Sequence, residues 1–355
     1  TTPDQGGDVP FHEFGVMEMD YEAEGYTLVN QASAGDKDFY ALEDSAGKLS
    51  WWIAKDGMLF EGQYVTMVDG EKIINGAPES DDNMLIQGGR LSQIEGKTGA
   101  EADTGSLGIF DIFSKISDED TVVEVWKSAA LDVGDAGVTV YYPHEYSGNQ
   151  FMRPGLKFKV EGTFVQRIDF VSLMLALFFG TAALPHVLIR YYTVPDPASA
   201  RKSTIVAIAA IGFFYILTLY MGLGAMVNGV INPADGNMSA PLLAQSFGVF
   251  LFAVISAIAF ATVLGTVSGL IVAASGAVAH DFMDMFLQIK MTENQKVMAG
   301  KITAVVVGIV AIILGILFEG MNVSFLVGWA FAVAASANLP AIMMVLFWKK
   351  TTAQG

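Results

Sequence analysis

The sequence predicts an all-α membrane bundle of five helices, preceded by an acidic, β-rich domain over residues 1–165. The chain is 52% hydrophobic and only 16% charged, which is more apolar than soluble proteins of this size usually are. Residues 1–169 hold 31 acidic and 12 basic side chains, whereas residues 170–355 hold 6 and 8. Because one globular domain has no reason to sort its charges in this way, we predict two regions in different solvents. The negative balance argues against nucleic acid as a partner.

Both ends of the chain are interpreted as cuts in a longer protein. The sequence begins Thr1-Thr2-Pro3, without an initiator Met and without a basic and then apolar signal peptide. It ends at Gly355, shortly after an apolar run. We therefore expect the native protein to extend in both directions.

Five apolar stretches are long enough to cross a bilayer, which takes roughly 20 residues of helix. They are residues 168–192, 203–230, 241–278, 302–318 and 323–348, all within a predicted membrane domain at residues 166–355. Residues 203–234 and 236–279 contain no charged side chain, which is rare in the core helices of soluble proteins. The third stretch exceeds one span, so we expect it to tilt or to begin with a short helix near Pro241.

Basic residues in the connecting loops predict the orientation of the bundle, because Lys and Arg collect on the cytoplasmic side. They follow the first, third and fifth spans, as Arg190, Arg201, Lys202, Lys290, Lys296, Lys301, Lys349 and Lys350. The alternate loops, residues 232–239 and 319–322, contain no Lys or Arg. With five spans, residues 1–165 are therefore predicted to be periplasmic or extracellular.

Short β-prone runs separated by turns predict a β-meander in this outer domain. The runs are residues 39–42, 49–54, 58–68 and 72–74, with further candidate strands at 121–125 and 138–142. Asp56-Gly57 and Asp69-Gly70 are dipeptides typical of two-residue hairpin turns. Residues 76–120 are rich in Gly, Asp and Ser and predict loops. Residues 151–164, with Arg153, Lys157 and Lys159 among apolar side chains, are predicted to rest on the membrane surface.

Span one contains a Gly and a Pro five residues apart, Gly180 and Pro185. This spacing predicts an interrupted helix, which is how many transporters form a binding site near the middle of the membrane. The alternative is a kink that packs against a neighbouring helix. His186 follows directly, and a structural hydrogen bond and a proton relay are both open to it.

Hydroxyl side chains mark span three, at Thr262, Thr266 and Ser268. Hydroxyl and carbonyl oxygens are the ligands that alkali cations prefer. Small and hydroxyl residues also allow close packing of membrane helices, and that interpretation is favoured from spacing alone. Span five holds a similar small and polar break at residues 336–340, and the same two interpretations apply.

The segment Gly180–Arg190, GTAALPHVLIR, resembles the Gly-x-x-x-x-Pro-His-x-x-x-Arg stretch of the sodium:solute symporter family. It is most similar to the acetate and short monocarboxylate permeases. Further matches follow in family order at residues 275–281, 301–303, 318–319 and 327–340, within residues 165–355. Residues 1–160 show no such match.

The resemblance implies a LeuT-type inverted-repeat fold, with the five spans as its second repeat, core helices six to ten. Residues 1–165 then form an enlarged loop between core helices five and six, and the N-terminal half of the transporter is missing. The resemblance also implies substrate contacts in the broken first span, at Gly180, Thr181, Ala182 and Pro185. It implies a carbonyl ligand to sodium at Thr262 and a hydroxyl ligand at Thr266, whereas the second hydroxyl position of the family is Gly265 here. Ser268 or water is expected to replace the missing hydroxyl group, and the alternative is weaker coupling.

The expected function is secondary active transport and not catalysis: sodium-coupled symport of a small carboxylate such as acetate across the cell (inner) membrane. Sodium is the expected coupling ion, and no cofactor is expected. The alternative is a transporter-like sensor domain of a signalling protein, for example one fused to a kinase. Two or three further spans after Gly355 favour a transporter, whereas a long charged region favours a sensor. The acidic outer domain is interpreted as a surface suited to a salty environment and not as a trap for anions.

Overall fold

A computed structural model describes residues 15–17, 21–22, 24–80, 82–133, 136–155, 158, 160 and 162–352. Contacts divide the chain into two compact units. The first comprises Thr1–Pro154 and Thr218–Gly248, and the second comprises Gly155–Leu217 and Val249–Gly355. The predicted domain boundary at residue 165 stays a prediction, because these units follow contacts and not the position of a membrane.

The first unit is built on an antiparallel sheet. Its strands are β1 (Gly15–Met17), β2 (Thr27–Ala34), β3 (Lys37–Glu43), β4 (Leu49–Lys55), β5 (Met58–Val68), β6 (Glu71–Ile74), β7 (Ala77–Pro78), β8 (Arg90–Gln93), β9 (Val122–Val133) and β10 (Ala136–Ser147). Strands β2 to β5 pair in sequence order, followed by β10, β9 and β8. The predicted meander is therefore confirmed.

The two Asp-Gly turns form as predicted. Asp56 and Gly57 have φ angles of 55° and 77°, and Asp69 and Gly70 have φ angles of 51° and 82°. Two successive positive φ angles are what a type I′ hairpin requires. Each turn closes a tight hairpin, in which Lys55 pairs with Met58 and Val68 pairs with Glu71.

Strand β5 belongs to both halves of the sheet, because its two halves pair with different strands. Its first half pairs with β4 and β1, and its second half pairs with β10 and β6. Gly62 lies at the change, and a Cβ atom there would approach the carbonyl oxygen of Tyr141 to 2.7 Å. The curved sheet encloses an aromatic and aliphatic core of Phe39, Ala41, Trp51, Ile53, Tyr64, Leu131, Val138, Val140 and Tyr142.

The prediction that residues 76–120 form only loops is wrong. This region contains β7, β8, a 3₁₀ helix (Gly99–Ala102) and helix α1 (Asp111–Ile116). Strand β8 has one core residue, Leu91, and is held by pairing with β9 and by an ion pair from Arg90 Nε to Glu124 Oε2 at 2.5 Å. Such a strand has too little apolar pattern to be recognised without its partner. The fully or partly exposed strand β2 was missed for the same reason.

The second unit holds most of the long helices, with a short α2 (Gly148–Phe151) in the first. The helices after α2 are α3 (Phe164–Ala183), α4 (Pro185–Leu188), α5 (Pro197–Val227), α6 (Ser239–Ser246), α7 (Val249–Gly276), a π-helix (Ala277–Phe286), α8 (Glu293–Leu317) and α9 (Val323–Phe347). Helix α6 and the end of α5 belong to the first unit. Five stretches are long and apolar enough to cross a membrane, as predicted: Phe164–Tyr191, Pro197–Val227, Val249–Asp284, Glu293–Leu317 and Val323–Phe347. Short α6, ahead of α7, is the helix expected near Pro241. The LeuT-type repeat stays a prediction.

The end of α5 belongs to the core of the first unit. At 31 residues, α5 is about 46 Å long, so about ten residues extend beyond a 30 Å hydrocarbon layer. In that extension Leu223 and Met226 are buried with Leu91, Ile116 and Val123. The C-terminal end of α5 therefore shares a core with the outer domain, and the side of the membrane on which both lie stays a prediction from the loop charges.

Two backbone hydrogen bonds join the loop after α5 to the outer domain. Gly88 N donates to Ile231 O at 2.9 Å, and Ile231 N donates to Gly88 O at 3.0 Å. Nearby, the Tyr220 hydroxyl donates to Ile109 O at 2.5 Å. We call the contact between residues 88–116 and residues 220–231 the α5 clamp.

His144 on β10 lies between two tyrosine rings in the outer domain. Its ring centre is 6.4 Å from that of Tyr142 and 4.5 Å from that of Tyr146. Burial and the nearby ammonium groups lower the pKa of His144 to about 4, with a small opposing effect from Glu145. The ammonium groups are those of Lys127, Lys37 and Lys55.

We expect the outer domain to lose stability as the pH falls from about 6.5 to about 4, because unfolded His144 takes up a proton that the folded imidazole resists. The contribution is about 1–2 kcal/mol, reduced from the full linkage value because His144 is only partly buried. His144→Gln should remove this part of the pH dependence in urea titrations followed by tryptophan emission. His280→Gln, in an exposed histidine outside the domain, is the control. An identical pH dependence in wild type and His144→Gln would contradict the expectation.

Candidate functional site

The first span is interrupted at Leu184, as the sequence predicts. Helix α3 ends at Ala183, Leu184 is extended with φ −69° and ψ 118°, and α4 begins with Pro185. Pro185 has no N–H to continue the helical hydrogen bonds. The Leu184 carbonyl instead accepts from the N–H groups of Val187 (3.0 Å) and Leu188 (3.1 Å).

The break is fixed in place by packing against α9. Gly180 is buried, and a Cβ atom there would collide with the carbonyl group of Phe331 and lie 2.7 Å from the Phe331 Cβ. Asn338 Nδ2 donates to the Ala183 carbonyl at 3.1 Å, so a side chain of span five satisfies a backbone group that the break releases. Gly180 therefore has the packing role that was the alternative interpretation of the Gly–Pro spacing.

Of the two interpretations of residues 336–340 in span five, a broken helix is wrong and packing against a neighbouring helix fits the structure. Helix α9 runs from Val323 to Phe347 without interruption and contains Pro340. Membrane helices tolerate proline when neighbouring groups compensate for the missing hydrogen bond. The polar group in this segment that acts on the site is Asn338, through the bond to Ala183.

The break in span one and the middle of span three line one groove of about 920 Å³. Pro185 and His186 lie on one side, and Gly265 and Thr266 lie on the other. The remaining lining residues are Val187, Ile189, Arg190, Gly269, Leu270, Val272, Ala273, Gly276, Ala277, His280 and Asp281. The structure thus brings together Pro185 and Thr266, which the sequence placed in two separate candidate sites.

The other predicted substrate contacts lie N-terminal to the groove. Thr181 is exposed, and its hydroxyl donates to the Leu177 carbonyl at 2.6 Å. Ala182 is also exposed. Among the described residues that line the groove, Pro185 is the member of this predicted set.

The predicted sodium ligands divide into two faces of α7. Thr262 and Thr266 are one turn apart, and the Thr266 hydroxyl donates to the Thr262 carbonyl at 3.0 Å. The Thr262 hydroxyl donates to Ile258 O at 2.8 Å. A hydroxyl oxygen that donates its hydrogen keeps lone pairs for a cation. Ser268 lies about 200° around the helix from Thr266, donates to Leu264 O, and is not among the groove-lining residues of the described chain. Thr262 is not among these lining residues either, so Thr266 is the predicted ligand that borders the groove. The assignment of sodium ligands stays a prediction.

The predicted cytoplasmic end of the groove carries ionisable groups. Span three continues there as a π-helix, which often marks functional positions. His280 Nδ1 and Asp281 Oδ1 are 2.9 Å apart in this helix. Further along, Lys296 Nζ lies 2.8 Å from Asp284 Oδ2 and closes the turn into α8. We call the end formed by Arg190, His280 and Asp281 the inner mouth.

Sequence reasoning missed the Asn338–Ala183 hydrogen bond and the position of Arg190 in the groove. The residues of the first pair are 155 positions apart in the chain. The sequence marked Arg190 as a charge in a cytoplasmic loop and as the last residue of the family stretch, but not as a groove residue. The available signal was the spacing of Arg190, five residues after Pro185, which keeps it within reach of the break.

Many secondary transporters form their binding sites at discontinuous membrane helices, and span one of this chain is interrupted in the same way. The sequence profile of the sodium:solute symporter family matches residues 121–355, and the chain belongs to this family of multi-pass membrane transporters. The match begins at residue 121 and includes β9 and β10, so the expectation that residues 1–160 show no resemblance is corrected.

Two relatives share close sequence similarity with this chain. A monocarboxylic acid transporter of Corynebacterium glutamicum is 48% identical over 217 residues, which cover 59% of this chain and 39% of that protein. A symporter of Bacillus subtilis, YwcA, described as uncharacterized, is 46% identical over 215 residues, or 59% of this chain and 41% of that protein. The chain thus spans about two fifths of the length of these relatives. No solved structure is significantly similar to it.

Proposed function

We propose that the full-length protein is a secondary active transporter that couples sodium entry to the import of a small carboxylate such as acetate. The observation that carries this proposal is the single groove shared by the broken span one and Thr266. Family membership supports sodium coupling, and the printed name of the Corynebacterium relative supports a monocarboxylate. Thr262 and Thr266 are the proposed sodium contacts, and the backbone of residues 180–185 with Pro185 forms the proposed substrate side.

The proposed arrangement is a LeuT-type fold in the cell (inner) membrane, in which this chain supplies the second repeat. The N-terminal half of the transporter supplies the remaining contacts for sodium and substrate. Residues 1–165 are proposed to lie outside the cytoplasm, as the loop charges and the α5 clamp support. Coupling requires that sodium bind one conformation of the groove better than the other.

The test of symport is uptake of labelled acetate by vesicles that contain the full-length protein, with and without an inward sodium gradient. We expect gradient-dependent accumulation. Folded, inserted protein that accumulates acetate equally in both conditions would reject sodium coupling, and absence of accumulation in both would reject acetate as the substrate.

Replacing Thr266 with Ala should raise the sodium concentration for half-maximal uptake by about 10-fold to 150-fold, because a ligand to a charged group contributes roughly 1.5–3 kcal/mol. Uptake at saturating sodium should change less. Ser268→Ala removes the same hydroxyl from the same helix, but on the face away from the groove. It should leave sodium dependence unchanged. Equal shifts in the two variants, or none in Thr266→Ala, would contradict the proposed site.

A further inference from the structure

Arg190 carries the permanent positive charge among the described residues that line the groove. It lies in a 3₁₀ helix, Ile189–Thr193, which directly continues α4 after the break. Its side chain is exposed and forms no ion pair with any described residue. A guanidinium group presents parallel N–H donors that match the two oxygens of a carboxylate. Arg190 is therefore available to an anion that enters the groove.

The acidic residue at the inner mouth has another partner. Asp281 also lines the groove and carries a carboxylate, which is 2.9 Å from His280 Nδ1. It forms no ion pair with Arg190 among the described residues. The only other ionisable lining group there is His186. Arg190 is therefore the permanently charged cation in the described part of the groove that can pair directly with a small carboxylate.

The wall opposite Arg190 suits a short acyl chain. Gly265, Gly269 and Ala273 recur every four residues along α7, and Gly276 and Ala277 follow. These residues have no side chain or only a methyl group, so this wall is apolar and leaves room for a short acyl chain. From Thr266 to His280 the path along the helix is about 20 Å, which extends from the membrane interior to the predicted cytoplasmic surface.

We propose that Arg190 binds the carboxylate of the transported substrate at the inner mouth, and that it determines carboxylate specificity on the cytoplasmic side. This inference rests on the proposed function and adds to it a second, inward-facing contact, separate from the Thr266 region. Arg190 would release the substrate to the cytoplasm in the forward direction and would capture it there in the reverse direction. Substrate entering from outside meets the region of Pro185 and Thr266 first.

Sided kinetics test this assignment. Full-length protein is placed in right-side-out and inside-out vesicles, and initial rates of labelled acetate uptake are measured at saturating sodium. Arg190→Gln should raise the KM at the cytoplasmic face by about tenfold or more, the effect of losing a charged hydrogen-bonded partner. The KM at the outer face should change less than about twofold, because a change of that size corresponds to the small free energy of a typical exposed ion pair. Arg190→Lys keeps the positive charge but not the parallel N–H donors of the guanidinium group, so its KM at the cytoplasmic face should be intermediate.

Arg201→Gln is the matched control, because it removes the same charge from the same predicted loop but does not line this groove. An equal KM shift in Arg201→Gln would show only general attraction of anions and would overturn the proposal. A shift of equal size at both faces, or none in Arg190→Gln, would do the same. Wild-type protein that takes up no acetate would reject the proposed function itself, which is a different result from normal uptake with an unshifted inner KM.

A second measurement does not depend on transport by a variant. Phenylglyoxal modifies accessible guanidinium groups, and the modification of Arg190 in the wild-type, full-length protein can be followed by mass spectrometry. Acetate should slow the modification of Arg190 and not that of Arg201, whereas acetamide, which lacks the charge, should slow neither. Equal protection of both arginines, or none at Arg190, would overturn the assignment.

Discussion

Gly180→Ala should reduce transport at least tenfold and destabilise the membrane part by about 1–3 kcal/mol, the usual cost of forcing an extra methyl group into a packed interface. The added Cβ would meet the carbonyl group and the Cβ of Phe331 on α9. Neither atom is the end of a flexible side chain, so the two helices must separate. That movement also draws Ala183 away from Asn338, whose hydrogen bond holds the break. Initial uptake rates and thermal unfolding in detergent measure the two effects.

Two other glycine substitutions serve as comparisons for the losses of transport and stability in Gly180→Ala. Gly328→Ala, in the same interface, would place its Cβ 2.8 Å from Leu173 Cδ1, which a change of side-chain rotamer can relieve. Gly308→Ala on α8 has no neighbour within 4 Å, and alanine is the better helix former. The expected order of damage is Gly180, then Gly328, then Gly308. Similar losses in all three variants would show that glycine flexibility, and not the α3–α9 contact, is what transport requires.

Much of the fold could be predicted because its signals are local. Hydropathy over about 20 residues identifies a span, and the Asp-Gly dipeptides identify hairpin turns wherever they occur between β-prone runs. Strand β8 and helix α1 carry no comparable local signal. Their stability comes from pairing with β9 and from a core shared with Leu223 and Met226, which lie more than 100 residues further along the chain.

The end of α5 shows why hydropathy alone misassigns residues. Leu223 and Met226 are as apolar as lipid-facing residues, and the sequence assigned them to span two. They are buried against the outer domain. Apolar side chains leave water with a similar gain whether they enter lipid or protein, so the sequence pattern cannot distinguish the two environments. The length of α5 was the only local indication.

The site was predicted in parts and not as a whole. The break at Pro185 and the hydroxyl group of Thr266 were both recognised, but from separate patterns on two helices. Their common groove depends on the packing of α4 beside α7, which sequence spacing does not contain. Ser268 was expected as a replacement for the hydroxyl group that Gly265 lacks, and it lies about 200° around the helix from Thr266; this assignment stays a prediction. Arg190 was recognised as part of the family stretch, but its place in the groove was not predicted, because a charged residue at a span's end ordinarily indicates orientation alone.

The α5 clamp holds the outer domain against the C-terminal end of α5, and the added methyl group of Gly89→Ala should open it. Gly89 has φ +124°, a conformation that L side chains rarely adopt, and a Cβ atom there would lie 2.7 Å from the Met226 carbonyl oxygen. Gly89→Ala therefore combines backbone strain with a backbone collision, and we expect a local loss of about 2–4 kcal/mol.

The Ile231 amide reports this loss directly, because its hydrogen bond to Gly88 O is part of the clamp. Hydrogen exchange at Ile231 should accelerate by about 30-fold to 1,000-fold in Gly89→Ala, the ratio that 2–4 kcal/mol of local stability implies. Gly137→Ala on β10 meets nothing within 4 Å and should leave exchange at Ile231 unchanged. Slow exchange at Ile231 in Gly89→Ala would mean that the clamp does not depend on this contact. If exchange accelerates while acetate uptake stays normal, the clamp anchors the outer domain without controlling the movement of α5, whereas a parallel loss of uptake would tie the position of α5 to the transport cycle.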